Sequence, residues 1–216
     1  MACYGLGSAL LGPYRSYVNE NHSLCSSPEW AEHLRDDVLP WLLRDADLGE
    51  SMLEIGPGSG AATESLRHEV KRLTAVEPDP VAARTLRERY TGTNVEVVVG
   101  SGTELAYPGG SFDSVGSFTM LHHVPTAALQ NRLLAEALRV LVPGGVLIGS
   151  DSLASDGLHR FHEGDTYNPV DAGSFVARLQ ALGFGRVTVS VGQMLRFLAY
   201  APGAAGTEPT DEKEEP

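Results

Sequence analysis

From residue 51 onward, short apolar runs alternate with stretches in which apolar residues recur every three or four positions, a pattern that predicts strands separated by helices. Residues 52–55, 73–76, 95–99, 112–119 and 146–150 read as strands. Between them, 61–70 reads as helical, Asp79-Pro80 opens a helix to about Tyr90, and 127–141 carries Leu129, Leu133, Ala137 and Leu141 in helical register. An earlier helix over about 28–45 begins at the cap Ser27-Pro28-Glu29 and presents Trp30, Leu34, Val38, Leu39, Trp41 and Leu42. Trp30 is read as part of that apolar face.

After 150 the pattern changes. A polar and aromatic loop around 161–167 leads to a helix that Asp171 caps and Gly183 ends. Two β-like segments follow, 186–190 and 194–200, and the few residues around Gly192-Gln193 that join them allow only antiparallel pairing. Strand–helix repetition demands right-handed crossovers and a parallel sheet covered on both faces. The expectation is an α/β three-layer sandwich, with a seven-stranded, mostly parallel sheet and a C-terminal antiparallel hairpin.

Length and composition fit one soluble domain: 216 residues, 42% hydrophobic and 20% charged. The formal net charge of −12 disfavours a phosphate-tracking surface, so nucleic acid is not an expected partner. That charge is uneven, because Glu208, Asp211, Glu212, Glu214 and Glu215 against Lys213 place −4 on the last ten residues. Residues 203–216 are expected to be a disordered acidic tail. Two cysteines, Cys3 and Cys25, make no disulfide framework, and no spacing suggests a metal site. His162, Glu163 and Asp165 are ligand types in one loop, yet no metal is expected there. With no signal-peptide pattern and no long apolar run, a cytoplasmic protein without membrane association is expected. The oligomeric state is not readable.

The strongest local motif is Gly56-Pro57-Gly58-Ser59-Gly60, between a strand and a helix. Glycines there let the main chain turn sharply and approach a ligand closely. Glu77 follows Gly56 by 21 residues at the end of the second strand, the spacing at which an acid meets a ribose diol. The loop also fits a dinucleotide fingerprint, so a nicotinamide-dependent oxidoreductase stays open. Against that reading, a dinucleotide fold needs a second mononucleotide half, whereas this chain ends on a hairpin.

Further matches follow in order. Gly100 to Asp113 reads GSGTELAYPGGSFD, Leu121-His122-His123 ends the fourth strand, and Leu141-Val142-Pro143-Gly144-Gly145 precedes the fifth. Together with Glu54-x-Gly56-x-Gly58-x-Gly60 and Val76-Glu77-Pro78-Asp79, residues 27–202 resemble the class I S-adenosylmethionine-dependent methyltransferases of the small-molecule type, which have a Rossmann-like fold. The resemblance implies a helical lid segment over 1–46 and a methyltransferase core over 47–202. It implies S-adenosyl-L-methionine as cofactor and S-adenosyl-L-homocysteine as product. Gly56, Pro57, Gly58 and Gly60 would line the methionine part, with Glu54 organising the loop. Glu77 beside Pro78 would accept both ribose hydroxyls, and Gly102 and Thr103 would meet the adenine edge. Ser101 departs from the family's more frequent Asp and offers the adenine amino group a weaker acceptor. Phe118 and Thr119 fall where the sulfonium and methyl should be.

His122 and His123 lie just beyond, and imidazole titrates near working pH, so either is a candidate base; alternation along a strand end would leave only one facing the acceptor. Asp151, ending strand five, is a candidate to orient a histidine or accept a proton. Tyr17, His162, Glu163 and Tyr167 are candidate substrate contacts, and Tyr14 and His22 candidate lid residues. Thr119-Met120-Leu121-His122 stands where DNA and protein-glutamine amino-methylating enzymes carry an Asn/Asp-Pro-Pro-aromatic clamp. The expected acceptor is therefore a small molecule, with O-methylation first because a His–Asp pair suits a hydroxyl. Lysine only at 71 and 213, with abundant Ala and Gly, hints at a high-GC bacterial source and hence at natural-product biosynthesis. A non-catalytic cofactor-binding partner subunit is the remaining alternative.

Overall fold

The computed structural model describes residues 27–44 and 46–203. Most of the expected lid, including Tyr14, Tyr17 and His22, and nearly all of the acidic tail lie outside the described residues. The strands are β1 (Ser51–Ile55), β2 (Arg72–Glu77), β3 (Val95–Val99), β4 (Phe112–Phe118), β5 (Leu141–Ser152), β6 (Val187–Val191) and β7 (Met194–Tyr200). They form one sheet in the order β3-β2-β1-β4-β5-β7-β6. β1 to β5 pair in parallel, whereas β7 runs antiparallel to both β5 and β6. The expected hairpin is present, with its second strand inserted beside β5 and its first left on the edge.

The helices are α1 (Pro28–His33), α2 (Leu39–Leu43), α3 (Ala61–Leu66), α4 (Pro80–Arg89), α5 (Ala127–Val140), α6 (Asp156–Phe161) and α7 (Ala172–Ala181). α5 and α7 bury Leu133, Leu134, Ala137, Phe175 and Leu179 against Leu53, Val115, Leu147 and Phe197 of the sheet. On the other face Leu34, Val38, Leu39 and Leu42 meet Met52, Leu73, Ile148 and Leu198. Successive residues such as Met52 and Leu53 thus feed opposite layers, as a sheet covered on both faces requires.

Three local differences from expectation have physical causes. The helix expected over 28–45 is interrupted by a π-helical turn, Leu34–Val38, in which the Leu39 N–H reaches back to the Leu34 carbonyl. Pro40 follows directly; it has no N–H to bond the carbonyl four residues earlier, and its ring crowds that carbonyl. α3 stops at Leu66, and the Asn94 side chain donates to the Arg67 and Val70 carbonyls beyond it. Finally, a short helix for which the sequence reading gave no element precedes the 161–167 loop: Ser155 Oγ accepts from the Leu158 N–H and starts α6.

β4 and β7 both flank Gly149 of β5, which is paired with Ser117 and Phe197. A Cβ at Gly149 would overlap the Ser117 carbonyl and the Phe197 ring. Gly149→Ala is expected to cost about 1–3 kcal/mol through overpacking. Gly157→Ala in α6, where a Cβ would meet only Ser155 Oγ at 3.8 Å, is expected to be neutral or slightly stabilising. Urea unfolding of the two variants beside the parent checks this contrast.

Candidate functional site

The chain runs outward from β1 to β2 and β3, then returns to place β4 on the other side of β1. Such a reversal opens a crevice at the carboxyl ends of the strands. Here it is a cavity of about 910 Å³ walled by the glycine loop, the tips of β2 and β4, the Leu121–His123 3₁₀ turn, α1 and α6.

The loop after β1 is held from several sides. The Gly56 N–H donates to the Val76 carbonyl at 2.9 Å and the Gly60 N–H to the Pro57 carbonyl at 2.8 Å. Gly56 has φ +68°, and a Cβ there would overlap the Met120 side chain, so this position requires glycine twice over. Glu77 accepts from the Gly58 N–H at 3.1 Å and the Asp79 N–H at 2.9 Å, tying the loop to the tip of β2. From α4, Arg89 donates to the Ser59 carbonyl at 2.6 Å and Tyr90 donates to the Gly60 carbonyl at 3.1 Å. The sequence reading missed this clamp, although Leu86, Arg89 and Tyr90 share one face of α4.

Beneath the loop Glu54 is 2% exposed and accepts from the Thr63 hydroxyl at 2.6 Å. Burial raises its pKa to about 7; the Thr63 bond opposes the rise, and the nearby Glu77 carboxylate adds to it. Burial also raises the Glu77 pKa, against the pull of its two backbone donors.

At the acceptor end, Asp151 is fully buried behind His122. A carboxylate only accepts, so His122 Nδ1 donates to Asp151 Oδ1, at 2.6 Å. Asp151 also accepts from the His122 N–H at 3.3 Å and the Ser152 N–H at 2.6 Å. The His122 tautomer is thereby set, with the Nε2 lone pair on the side away from Asp151. Asn168 and Gln130 fix the turn itself: the Asn168 N–H donates to the His122 carbonyl at 2.7 Å, and Gln130 Nε2 to the Leu121 carbonyl at 3.0 Å. Neither was legible as a site residue, since both act from distant segments. Just before the turn, Thr119 has φ +48°, a left-handed conformation uncommon for a β-branched residue.

Of the residues expected to bind cofactor, Glu54, Gly56, Pro57, Gly58, Gly60, Glu77, Pro78, Ser101, Gly102, Thr103, Phe118 and Thr119 all line the cavity. Ser101 Oγ lies 2.8 Å from Thr103 Oγ1 and accepts from the Thr103 N–H at 3.2 Å, so it closes its own turn. Trp30 packs with the apolar layer as expected and also faces the cavity. Both His122 and His123 line it, contrary to the alternation expected of a strand end, because they sit on a 3₁₀ turn. His162 joins them from the end of α6. Tyr167 stands behind the wall, stacked on His162 at 4.7 Å between ring centroids. Glu163 is exposed and is not among the lining residues.

Comparison with known proteins agrees with this geometry. A chain of the complex between the Haloferax volcanii Trm112 methyltransferase activator and its methyltransferase superposes with a TM-score of 0.67 at 16% identity, over 87% of this chain and all of that one. Ribosomal RNA small subunit methyltransferase A of Thermococcus onnurineus is 33% identical over 75 residues, which cover 34% of this chain and 28% of that protein. The 2-methyl-6-phytyl-1,4-hydroquinone methyltransferase 1 of Oryza sativa is 29% identical over 143 residues, 63% of this chain and 39% of that protein. The chain thus spans well under two thirds of these two curated relatives. Sheet order, glycine loop and strand-tip acid define the fold of the class I S-adenosylmethionine-dependent methyltransferases. Residues 53–149 match the model of the family described as "Methyltransferase domain".

The raised Glu54 pKa makes stability pH-dependent. A carboxyl group that binds its proton more tightly when folded contributes fully below its ordinary pKa near 4.5 and loses that contribution as pH rises through about 7. Glu54→Gln, which keeps an acceptor for Thr63, is therefore expected to flatten the fall in stability between about pH 4.5 and 7. Thermal unfolding of ligand-free protein across that range reads the difference.

Proposed function

We propose that the protein transfers a methyl group from S-adenosylmethionine to a small-molecule acceptor, with a hydroxyl oxygen as the foremost target. The observation that carries this reading is the meeting, in one cavity, of the Glu77-tied glycine loop with the Asp151-backed His122. The cofactor fits the residues present: a backbone cradle that side chains would fill, and the buried Glu77 carboxylate on the cavity wall. Bound there, it supplies a methyl group already activated on a sulfonium.

The chain's residues then bind and align. Glu77 accepts the ribose hydroxyls, while Gly56 and Gly58 let the backbone lie against the ligand. Phe118 and Met120 exclude water near the reacting methyl, and the wall as a whole aligns the acceptor for in-line attack. His122 takes the acceptor proton at Nε2, and Asp151 stabilises the imidazolium that forms. Natural-product metabolism is the setting this reading favours, with 1–46 as lid and 47–202 as the methyltransferase core.

A second reading rests on the curated relatives named as ribosomal RNA methyltransferases. The chemistry at the end of β4 supports the metabolite reading instead, since Thr119-Met120-Leu121-His122 offers no clamp for a planar base amine. Incubation with labelled cofactor and either a panel of phenols and sugars or small-subunit ribosomal RNA separates the two, and transfer to RNA alone overturns the proposal.

Two substitutions test the assigned roles. Glu77→Gln is expected to weaken S-adenosylhomocysteine binding about 10- to 100-fold, from loss of charge-assisted hydrogen bonds, as read by calorimetry. His122→Gln is expected to lower kcat by about 10²–10⁴-fold with little change in that affinity.

A further inference from the structure

The acceptor end of the cavity brings together three imidazoles that are far apart in sequence. One nitrogen from each of His122, His123 and His162 lies within 4.8 Å of the other two. Their ring centroids are separated by 4.1 Å (His122–His123), 5.0 Å (His122–His162) and 5.2 Å (His123–His162). Sequence reading gave no hint of this set, because as a metal ligand it weighed His162 only with its loop neighbours Glu163 and Asp165.

Two of the rings are anchored through Nδ1. His122 Nδ1 donates to Asp151, and His162 Nδ1 donates to the Leu158 carbonyl at 2.7 Å. Each bond fixes the tautomer whose Nε2 carries a lone pair, and a carboxylate or carbonyl on the far nitrogen is how metal-ligating imidazoles are oriented. A carboxylate also accompanies the third ring, with Asp165 Oδ2 at 3.8 Å from His123 Nδ1. Burial lowers the His162 pKa, and the neighbouring His122 adds to that, so the His162 ring favours the neutral form, the form that ligates.

We propose that His122, His123 and His162 form a binding site for a divalent transition-metal ion of the zinc class, with its remaining coordination position open to the cavity. Three imidazoles without a thiolate suit zinc, copper, nickel or iron rather than magnesium or calcium. Three protein ligands with an open fourth position is the pattern of reactive rather than structural zinc sites. At a metal–nitrogen distance of about 2.0–2.1 Å the ligating nitrogens stand about 3.4 Å apart, so the rings must close slightly on binding. His123 on its 3₁₀ turn and His162 at the end of α6 both lie at element ends, outside the sheet ladder that would resist such a shift. With the ion bound, the His122 lone pair serves the metal, and an acceptor hydroxyl entering the open position would be acidified by the ion. In the metal-free protein His122 keeps its role as proton acceptor. Metal binding is read directly, so it stands or falls separately from methyl transfer.

Chelator-stripped full-length protein is titrated with Co²⁺ while the visible absorption of bound cobalt is followed, and Zn²⁺ is then added in competition. One Co²⁺ per chain, displaced by Zn²⁺, is expected. His162→Ala should weaken binding at least 10-fold, and Asp151→Asn, which removes only the outer partner of His122, about 10- to 100-fold. His68→Ala, on the exposed surface of the segment after α3, should leave binding unchanged. Should either cluster variant fail to fold, proton NMR of the parent is decisive, with ring signals of three histidines shifted by Co²⁺. Absence of stoichiometric binding overturns the proposal, as does binding indifferent to both cluster variants, or paramagnetic shifts confined to other histidines.

Discussion

A carboxyl group taken out of water must be hydrogen-bonded, protonated or both, and two of them stand at the tips of adjacent parallel strands in this protein. Glu54 has the Thr63 hydroxyl, and Glu77 has two backbone N–H groups, one of them from the glycine loop. Because β1 and β2 are in register, Glu54 beside Ala75 and Ile55 beside Val76, the two acids converge under that loop from either side. The loop's position is thus set by where these charges can be satisfied. The Arg89 and Tyr90 contacts from α4 then hold its outer edge, and the cavity takes its shape from there.

Much of this was readable from the chain. Strand and helix periodicity, the glycine loop with its acid 21 residues on, and the antiparallel ending all correspond to observed elements. What escaped was of two kinds. Local backbone devices were missed where one residue overrides a periodic pattern, as Pro40 does in forcing a wide turn into an otherwise regular amphipathic helix. Contacts between distant segments were missed because spacing carries no information about them: Asn168 reaches the turn at His122, Gln130 spans Leu121 and Asn168, and α6 carries His162 across to the strand-four histidines.

The histidine turn shows how the two kinds of error combine. Reading Leu121-His122-His123 as the end of a strand sends neighbouring side chains to opposite sides. The chain instead leaves β4 through the left-handed Thr119 and enters a 3₁₀ turn, so both rings face one space. Backbone strain at one β-branched residue therefore decides how many titratable groups the acceptor meets.

The placement of β7 has a consequence for how the molecule is assembled. β6 leaves the ribosome before β7, yet it cannot dock on the sheet, since among the described residues its only sheet neighbour is the later strand. Until β7 arrives, the long edge of β5, running from Val146 to Ser152, offers unpaired backbone groups to any extended chain nearby. The nascent protein therefore passes through a stage in which a strand that ends up inside the sheet has one open edge. A late-arriving interior strand makes protection during synthesis, by slow release or by a chaperone, a matter of topology rather than of overall stability.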